Sequence, residues 1–241
     1  MALRPLVILP TYNEADTLPA LVSVLDAVAD VDLLVIDDAS PDGTGDIAES
    51  LKARFPRLDL LRRRGKLGLG SAYREGMAMA LNEGRPAVVE MDSDFSHDPR
   101  DVPRLLAGLE QADLVIGSRC LPGGGAPGWP LPRRLISRGG NQYARRLLGL
   151  KAGDLTSGFR AYRGEALRAA DPGHTRSEGY AFQIEMAWRV TRSGGRIAEV
   201  PIVFVDRRLG ASKLSRRVVW EAAWRVPLLA LERFRPLTPA G

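Results

Sequence analysis

Apolar runs alternate with amphipathic segments throughout the first 120 residues. Five short apolar runs predict buried strands at residues 6–10, 32–38, 58–62, 87–92 and 113–118. Between them, apolar residues recur at helical spacing, which predicts helices over 14–29, around 47–55, and over 71–81 and 102–109. This alternation is typical of a parallel sheet covered on both faces by helices. Residues 1–120 are therefore predicted to form a doubly wound α/β unit.

The second half is less regular and begins with a segment rich in glycine and proline at residues 122–132. Such a segment excludes a helix interior or a central strand and predicts a loop. It is either a domain linker or a lid over a site, and we favour the lid because long loops at strand ends are often functional. Helices over 135–148 and 182–191, a strand over 196–205 and a last helix over 214–234 follow.

Polar clusters follow four of the predicted strands. They are PTYNE at 10–14, DDASPDGT at 37–44, DSDFSHD at 92–98 and SRC at 118–120. Ligands of open α/β sheets bind outside the carboxyl ends of the strands, where these four clusters would meet. The sequence thus predicts a binding site at this edge of the sheet.

The two acidic clusters suggest different chemistry. Asp92 and Asp94 stand two residues apart, and paired carboxylates are ligands for Mg²⁺ or Mn²⁺ beside phosphate oxygens, although Asp and Ser also favour helix caps and turns. Asp37 and Asp38 end the second strand, where a carboxylate can accept hydrogen bonds from a nucleobase or ribose. The sequence that follows predicts a turn, in which Asp42 or Thr44 could cap the next helix, but it leaves the acidic pair unexplained.

Composition and charge narrow the class of protein. A chain of 241 residues with 45% hydrophobic residues is too apolar for a disordered protein. One cysteine, Cys120, excludes a disulfide scaffold and is predicted to be a small packing residue rather than a nucleophile. The net charge of +5 suggests anionic partners or simply an arginine-rich surface. The arginine run at 62–64 is predicted to be a solvated or membrane-facing patch. No apolar run is long enough to span a membrane, and no signal peptide is predicted.

Seven motifs occur in an order and spacing that resemble a known enzyme family. They are PTYNE, DDASPDGT, KLGLGSAYREG, MDSDFSHDP, GSR, DLTSGFRAY and GASK, from residue 10 to residue 213. Together they resemble the dolichol- and polyprenol-phosphate mannosyltransferases of glycosyltransferase family 2. The resemblance implies an α/β GT-A fold, a three-layer sandwich with a mostly parallel sheet, in one catalytic domain. Its parts would be a nucleotide-binding half (1–120), an acceptor half (121–213) and a C-terminal basic amphipathic helix (214–241).

The resemblance also implies a reaction and the residues that perform it. Mannose would pass, with inversion, from GDP-mannose to a polyprenyl monophosphate, with Mg²⁺ or Mn²⁺ as cofactor. The implied nucleotide-sugar contacts are Pro10, Tyr12, Glu14, Ile36, Asp38, Lys66, Asp92, Ser93, Asp94, Arg207 and Lys213. The implied metal ligands are Asp92, Asp94 and Ser96, the last at a position where some members carry Gln. The implied acceptor-phosphate contacts are Arg119, Arg133 and Ser137. Asp94, Arg119, Arg133, Arg207 and Lys213 are the expected catalytic set.

A lipid acceptor implies contact with a membrane. We expect a cytoplasmic protein attached peripherally, through its own surface or through a membrane partner protein. The last predicted helix carries both arginines and tryptophans, which suits either a membrane interface or a helix packed on the domain. A related lipid-phosphate glycosyltransferase that uses UDP-glucose is the nearest alternative. A non-catalytic nucleotide-binding protein is a second alternative, and nucleic acid is not expected as a partner because acidic clusters would repel it.

Overall fold

The computed structural model describes residues 3–206 and 216–232. Within them, seven strands form one sheet in the order β3-β2-β1-β4-β6-β5-β7. The strands are β1 (Leu6–Thr11), β2 (Asp32–Asp37), β3 (Leu58–Arg62), β4 (Ala87–Glu90), β5 (Leu114–Ser118), β6 (Arg160–Arg163) and β7 (Ile197–Pro201). All pair in parallel except β6, which runs antiparallel to both of its neighbours.

Helices cover both faces of the sheet. They are α1 (Leu18–Val28), α2 (Thr44–Leu51), α3 (Leu69–Glu83), α4 (Val102–Gly108), α5 (Leu131–Leu148), α6 (Gly164–Ala170), α7 (Gly179–Arg192) and α8 (Arg216–Glu232). Successive strand residues point to opposite faces, so Val7 and Leu9 pack with α1 while Leu6 and Ile8 pack with α3. Both faces need apolar residues, which explains the continuous apolar runs and confirms the predicted α/β sandwich.

One close approach fixes α3 on the sheet. A Cβ added at Gly76 would stand 2.8 Å from Ile8 Cδ1 and 2.9 Å from Ile36 Cδ1. Only a residue without a side chain allows the helix to lie this near to β1 and β2. The amino end of α3 is thereby held beside the carboxyl ends of these strands, where the predicted site lies.

The structure departs from the predicted elements mainly in the second half. The strand β6 and the helix α6 were not predicted, and β6 makes the sheet mixed rather than wholly parallel. The strand predicted over 196–205 ends at Pro201, with a single further bridge between Val203 and Gly125. The helix α5 begins at Leu131 because Pro132 is tolerated in a first helical turn. The glycine- and proline-rich loop is therefore shorter than predicted.

The predicted last helix is only partly described. The described helix α8 covers Arg216–Glu232, and the remaining predicted positions, 214–215 and 233–234, lie outside the described residues. Among residues 3–206 and 216–232, no helix combines the length and the apolar composition needed to cross a bilayer.

Candidate active site

A cavity of about 590 Å³ opens at the carboxyl ends of the strands. The loops after β1, β2, β4 and β5 all contribute to its walls, as the polar clusters in the sequence predicted. The predicted site residues that line it are Pro10, Tyr12, Glu14, Asp38, Lys66, Asp92, Ser93, Asp94, Ser96, Arg119 and Arg133. Side chains distant in sequence are therefore brought to one locus by the parallel order of the strands.

Two of the predicted residues do not line this cavity, and two others are not described by the structure. The Ile36 side chain is fully buried and packs in the core below α3, so it does not face a ligand. Ser137 lies on α5 one turn after Arg133, on the same helix face but away from the cavity lining. Arg207 and Lys213 lie outside the described residues.

The wall after β2 is organised by a buried ion pair. The Asp38 carboxylate pairs with the Arg63 guanidinium, and its second oxygen accepts the backbone N–H groups of Leu67 and Gly68, both at 3.2 Å. The Arg63 side chain is only 2% exposed, so the prediction of a solvated arginine run is wrong at this position. Asp38 and Arg63 thus shape the glycine loop that leads into α3.

An aromatic ring and an ammonium group face each other at the same end of the cavity. The Nζ atom of Lys66 lies 3.5 Å from the ring centroid of Tyr12, a cation–π contact. Both residues line the cavity. This end of the cavity therefore offers a flat ring, a positive charge and the Asp38 carboxylate, which are groups suited to a nucleoside and its phosphates.

The Asp92-Ser93-Asp94 segment is tied to the loop after β1. The Ser93 hydroxyl donates to the Pro10 carbonyl oxygen at 2.9 Å, and the Ser93 carbonyl accepts the Thr17 hydroxyl at 3.0 Å. Ser93 is buried, whereas the residues on either side are partly exposed to the cavity. The two carboxylates are consequently held at the cavity floor by backbone bonds to a neighbouring loop.

A buried histidine supports this segment from below, and it was not predicted as part of the site. His97 is 2% exposed, stacks on Phe159 with ring centroids 4.9 Å apart, and accepts the backbone N–H of Asp92 at Nδ1. Burial lowers its pKa, and the carboxylates of Asp92 and Asp94 only partly oppose that effect. The ring is therefore neutral near pH 7 and orients the Asp92 backbone.

The donor set at the floor suits a hard divalent cation shared with a ligand. No group of three or more His, Cys, Asp or Glu residues able to hold a metal occurs in the described part of the chain. Asp92 and Asp94 supply two carboxylates, and Ser96 adds a hydroxyl on the same loop. Mg²⁺ commonly binds through one or two carboxylates, with phosphate oxygens and water completing its shell. Asp92, Asp94 and Ser96 therefore suit an ion that is bound partly by a ligand and water, and they are too few to complete its coordination shell by themselves.

The first of the two arginines that line the cavity is held by a buried carboxylate. Arg119 donates through Nε and Nη2 to the two oxygens of Asp154, each at 2.7 Å, and also to the Thr156 hydroxyl at 2.9 Å. Burial by itself raises the pKa of Asp154, but the charge and hydrogen bonds of Arg119 outweigh it and hold that pKa below its ordinary value. Arg119 therefore has a fixed position beside the cavity.

The second arginine has a more exposed partner. Arg133 Nη1 contacts both Asp206 oxygens at 2.9 and 2.8 Å, and the guanidinium lies 4.0 Å from the ring centroid of Trp129. The Trp129 indole also donates to Asp206, at 3.1 Å. Trp129 belongs to the glycine- and proline-rich loop and is 7% exposed. This loop thus packs against the arginine wall through one buried indole.

Several residues at the site were missed in the sequence. Besides His97, those that line the cavity include Thr156, Gly158, Tyr180, Gln183, Phe204 and Asp206. Asp206 had a signal, because it directly follows an apolar run as Asp92 does. Gln183 had a weaker one, as a lone amide within an apolar helical segment. The predicted packing role of Cys120 is wrong, since this residue is exposed.

Comparison with known proteins then places the chain in a family. Residues 6–170 match the family model described as Glycosyl transferase family 2. The chain belongs to this family. It is 50% identical over 225 residues to an undecaprenyl-phosphate mannosyltransferase of Micrococcus luteus, covering 93% of each chain. It is 46% identical over 226 residues to a polyprenol monophosphomannose synthase of Mycolicibacterium smegmatis, covering 92% of this chain and 85% of the relative. The resemblance seen in the motifs is confirmed.

Solved structures support the same fold at much lower identity. Mannosyl-3-phosphoglycerate synthase of Rubrobacter xylanophilus is 18% identical with a TM-score of 0.63, over 99% of this chain and 77% of that one. A mannosyltransferase of Pyrobaculum calidifontis in complex with GDP-Man and Mn²⁺ is 19% identical with a TM-score of 0.59, over 98% and 66% respectively. This family 2 member therefore shares the fold of these glycosyltransferases.

Proposed function

We propose that this family 2 glycosyltransferase transfers mannose from GDP-mannose to a polyprenyl monophosphate, with inversion, and releases GDP. The observation that carries the proposal is the cavity itself. Its lining includes two carboxylates, Asp92 and Asp94, and two arginines, Arg119 and Arg133. The carboxylates suit a metal-bound diphosphate, and the arginines suit a second anionic substrate. The 50% identity to an undecaprenyl-phosphate mannosyltransferase supports a polyprenyl phosphate as the acceptor.

The acceptor side needs positive charge rather than a strong base. A phosphate monoester is already ionised near neutral pH, so its oxygen is nucleophilic, and the protein must position it against anionic repulsion. The carboxylate paired with Arg133, Asp206, is 36% exposed, whereas the one paired with Arg119, Asp154, is fully buried. An incoming phosphate can therefore exchange with Asp206, while Asp154 stays in place and keeps Arg119 oriented. Ser137, one turn further along α5, is proposed as an additional phosphate contact.

The donor side would bind the nucleotide and a metal. In this proposal residues 1–120 form the nucleotide-binding half and residues 121–213 the acceptor half, followed by a C-terminal segment, 214–241, that contains α8. The nucleoside lies against Pro10, Tyr12, Glu14, Asp38, Lys66 and Ser93. The ligands for Mg²⁺ or Mn²⁺ are Asp92, Asp94 and Ser96, and the ion would supply neutralisation of the charge that develops on the leaving diphosphate. Arg207 and Lys213, beyond the described residues, are proposed to contact the same diphosphate.

The acceptor lipid requires a membrane, and we place the contact on α5 and α8. The helix α5 exposes Leu135 and Ile136 beside Arg134 and Arg138, and α8 exposes Trp224. Apolar and basic residues on one face suit an interface with anionic lipid. We therefore propose peripheral attachment at the cytoplasmic membrane surface. The protein should sediment with vesicles containing anionic lipid and polyprenyl phosphate; recovery of all protein in the supernatant would contradict direct attachment and favour a membrane partner protein.

The reaction is tested by transfer of radiolabelled mannose from GDP-mannose to a short polyprenyl phosphate. Mg²⁺, Mn²⁺ and EDTA are compared, with UDP-glucose as a parallel donor. We expect metal-dependent label in the lipid phase and a loss of about 10²-fold or more for Asp94→Asn. Asp98→Asn is the matched control, because Asp98 lies on the same loop, caps a turn through the Arg100 N–H, and lies outside the cavity. Transfer from UDP-glucose alone would overturn the donor.

A further inference from the structure

The helix α7 carries an unusual buried amide. Every residue from Ala181 to Val190 is buried, and Gln183 is only 2% exposed. Within the described residues, neither Nε2 nor Oε1 of Gln183 has a hydrogen-bond partner. A buried amide without partners costs free energy that an apolar side chain of similar size would avoid. The residue is therefore poorly explained by the stability of the protein alone.

The neighbouring acid does not satisfy this amide. Burial raises the pKa of Glu90 to about 7, and Arg160 and Gln183 both act to lower it. The two side chains lie near each other but form no hydrogen bond of normal geometry, because Glu90 Oε1 and both polar atoms of the Gln183 side chain lack a partner in the described structure, while Glu90 Oε2 accepts the Tyr162 hydroxyl at 3.4 Å. The Gln183 main chain is by contrast tightly held, because its carbonyl oxygen accepts Nη1 of the buried Arg160 at 2.6 Å. An unsatisfied amide is thus mounted on a rigid backbone.

The amide faces a small space at the floor of the cavity. A Cβ added at Gly158 would stand 3.9 Å from each of three atoms: Gln183 Nε2, Asp92 Oδ1 and His97 Cε1. Gln183, Asp92, His97 and Gly158 all line the cavity. Asp92 follows β4 and Gly158 precedes β6, whereas Tyr12 follows β1 and Lys66 follows β3, which lies at the other side of β1 in the sheet.

A neutral polyol fits this space better than a phosphate does. A primary amide both donates and accepts hydrogen bonds, as a sugar hydroxyl does, and the adjacent carboxylate accepts them. That carboxylate, Asp92, could hold a phosphate only through a bound cation, whereas it can accept a hydrogen bond from a neutral hydroxyl directly. We propose that Gln183 is a specificity-determining residue that hydrogen-bonds a hydroxyl of the donor sugar over Gly158, where the missing side chain leaves room for the ring. This inference rests on the proposed function and adds to it the residue that recognises the sugar.

The test separates the sugar from the nucleotide. Binding of GDP and of GDP-mannose in the presence of Mn²⁺ is measured by calorimetry for the wild type, Gln183→Leu and Gly158→Ala. We expect Gln183→Leu to weaken GDP-mannose binding about 10-fold, the loss of one to two hydrogen bonds, and to leave GDP binding within about twofold. Its Tm should stay close to that of the wild type, because the removal of an unsatisfied buried amide offsets the loss of its stabilising effect on the Glu90 carboxylate. Gln111→Leu, at an exposed glutamine outside the cavity, is the matched control.

The second variant keeps the test decisive if Gln183→Leu folds poorly. A Cβ at Gly158 would make only ordinary contacts at 3.9 Å, so Gly158→Ala should fold normally, bind GDP and lose affinity for GDP-mannose. Equal weakening of GDP and GDP-mannose together with a lowered Tm for Gln183→Leu would show a structural role and overturn the inference. Unchanged GDP-mannose binding in both variants would overturn it too. Failure of wild-type mannose transfer would instead count against the proposed function.

Discussion

The buried pair of Arg119 and Asp154 gives the sharpest quantitative prediction. Asp154 is fully buried and accepts three N–H groups of Arg119, two from the guanidinium and the backbone N–H at 2.9 Å. The change Asp154→Asn preserves the size of the side chain but removes its charge. It also turns one accepting oxygen into an NH₂ group that opposes the guanidinium. Arg119, whose side chain is 8% exposed, would then be a buried charge without its partner.

The expected loss of stability follows from that burial. Removing one partner of a buried ion pair costs about 3–5 kcal/mol. For a domain of this size, each kcal/mol lowers Tm by about 2–4 °C, so the variant should melt roughly 6–20 °C below the wild type. Urea unfolding at pH 7, followed by circular dichroism, measures the free-energy difference directly.

Two matched variants make the prediction refutable. Asp206→Asn removes the same charge from a similar contact with Arg133, but this carboxylate is 36% exposed, so the cost should be at most about 1 kcal/mol. The double change Arg119→Met and Asp154→Leu should recover much of the stability, because no buried charge is left alone. If Asp154→Asn costs no more than Asp206→Asn, the pair is hydrated in solution and the reasoning fails.

The remaining predictions concern acid stability, helix packing and the nucleotide loop. Because the pKa of Asp154 is held below its ordinary value, the stability it contributes is present above its unfolded pKa and is lost as pH falls through the folded pKa. Urea midpoints should show that the double apolar variant loses less stability in acid than the wild type; parallel curves would contradict this. Gly76→Ala should lower the free energy of unfolding by about 1–3 kcal/mol, because the new methyl group overpacks against β1. Gly139→Ala, in open space on α5, should raise the free energy of unfolding by about 0.5–1 kcal/mol. Equal Tm shifts in the two variants would refute this contrast. Arg63→Met should weaken GDP binding about 10-fold, because it releases the Asp38 carboxylate that shapes the glycine loop. Arg64→Met, at an exposed arginine, should leave GDP binding unchanged. Equal GDP affinities of the two variants would argue against a role of Arg63 in shaping the loop.

The strands that could be predicted are those whose sequences are mostly apolar. The run LVIL in β1, for example, contains only apolar residues, so a buried strand can be recognised from the sequence. The strand β6 was missed because its four residues, RAYR, begin and end with arginine. Arg160 is nevertheless fully buried, since its guanidinium donates to the carbonyl oxygens of Ser157, Gln183 and Leu155. Those acceptors come together only after folding.

The candidate site likewise contains residues that could be predicted from the sequence and residues that could not. The carboxylates Asp92 and Asp94 could be found because they directly follow an apolar run, and strand ends meet in a parallel sheet. The roles of Arg63, His97 and Gln183 could not be found, because the sequence does not show that these side chains are buried or which neighbour each one meets. What makes each of these three matter is burial beside a particular neighbour, and burial is a property of the folded chain.

The sequence by itself determined the layered α/β architecture, the edge of the sheet that holds the site, and the family. These follow from apolar periodicity and from ordered motifs, which are local features of the chain. Only the tertiary structure decided which charges are paired: Asp38 with Arg63, Asp154 with Arg119 and, more openly, Asp206 with Arg133. The physical reason is that the strength of an ion pair and the cost of an unsatisfied amide depend on exclusion of water. That exclusion is created by packing among segments far apart in the chain.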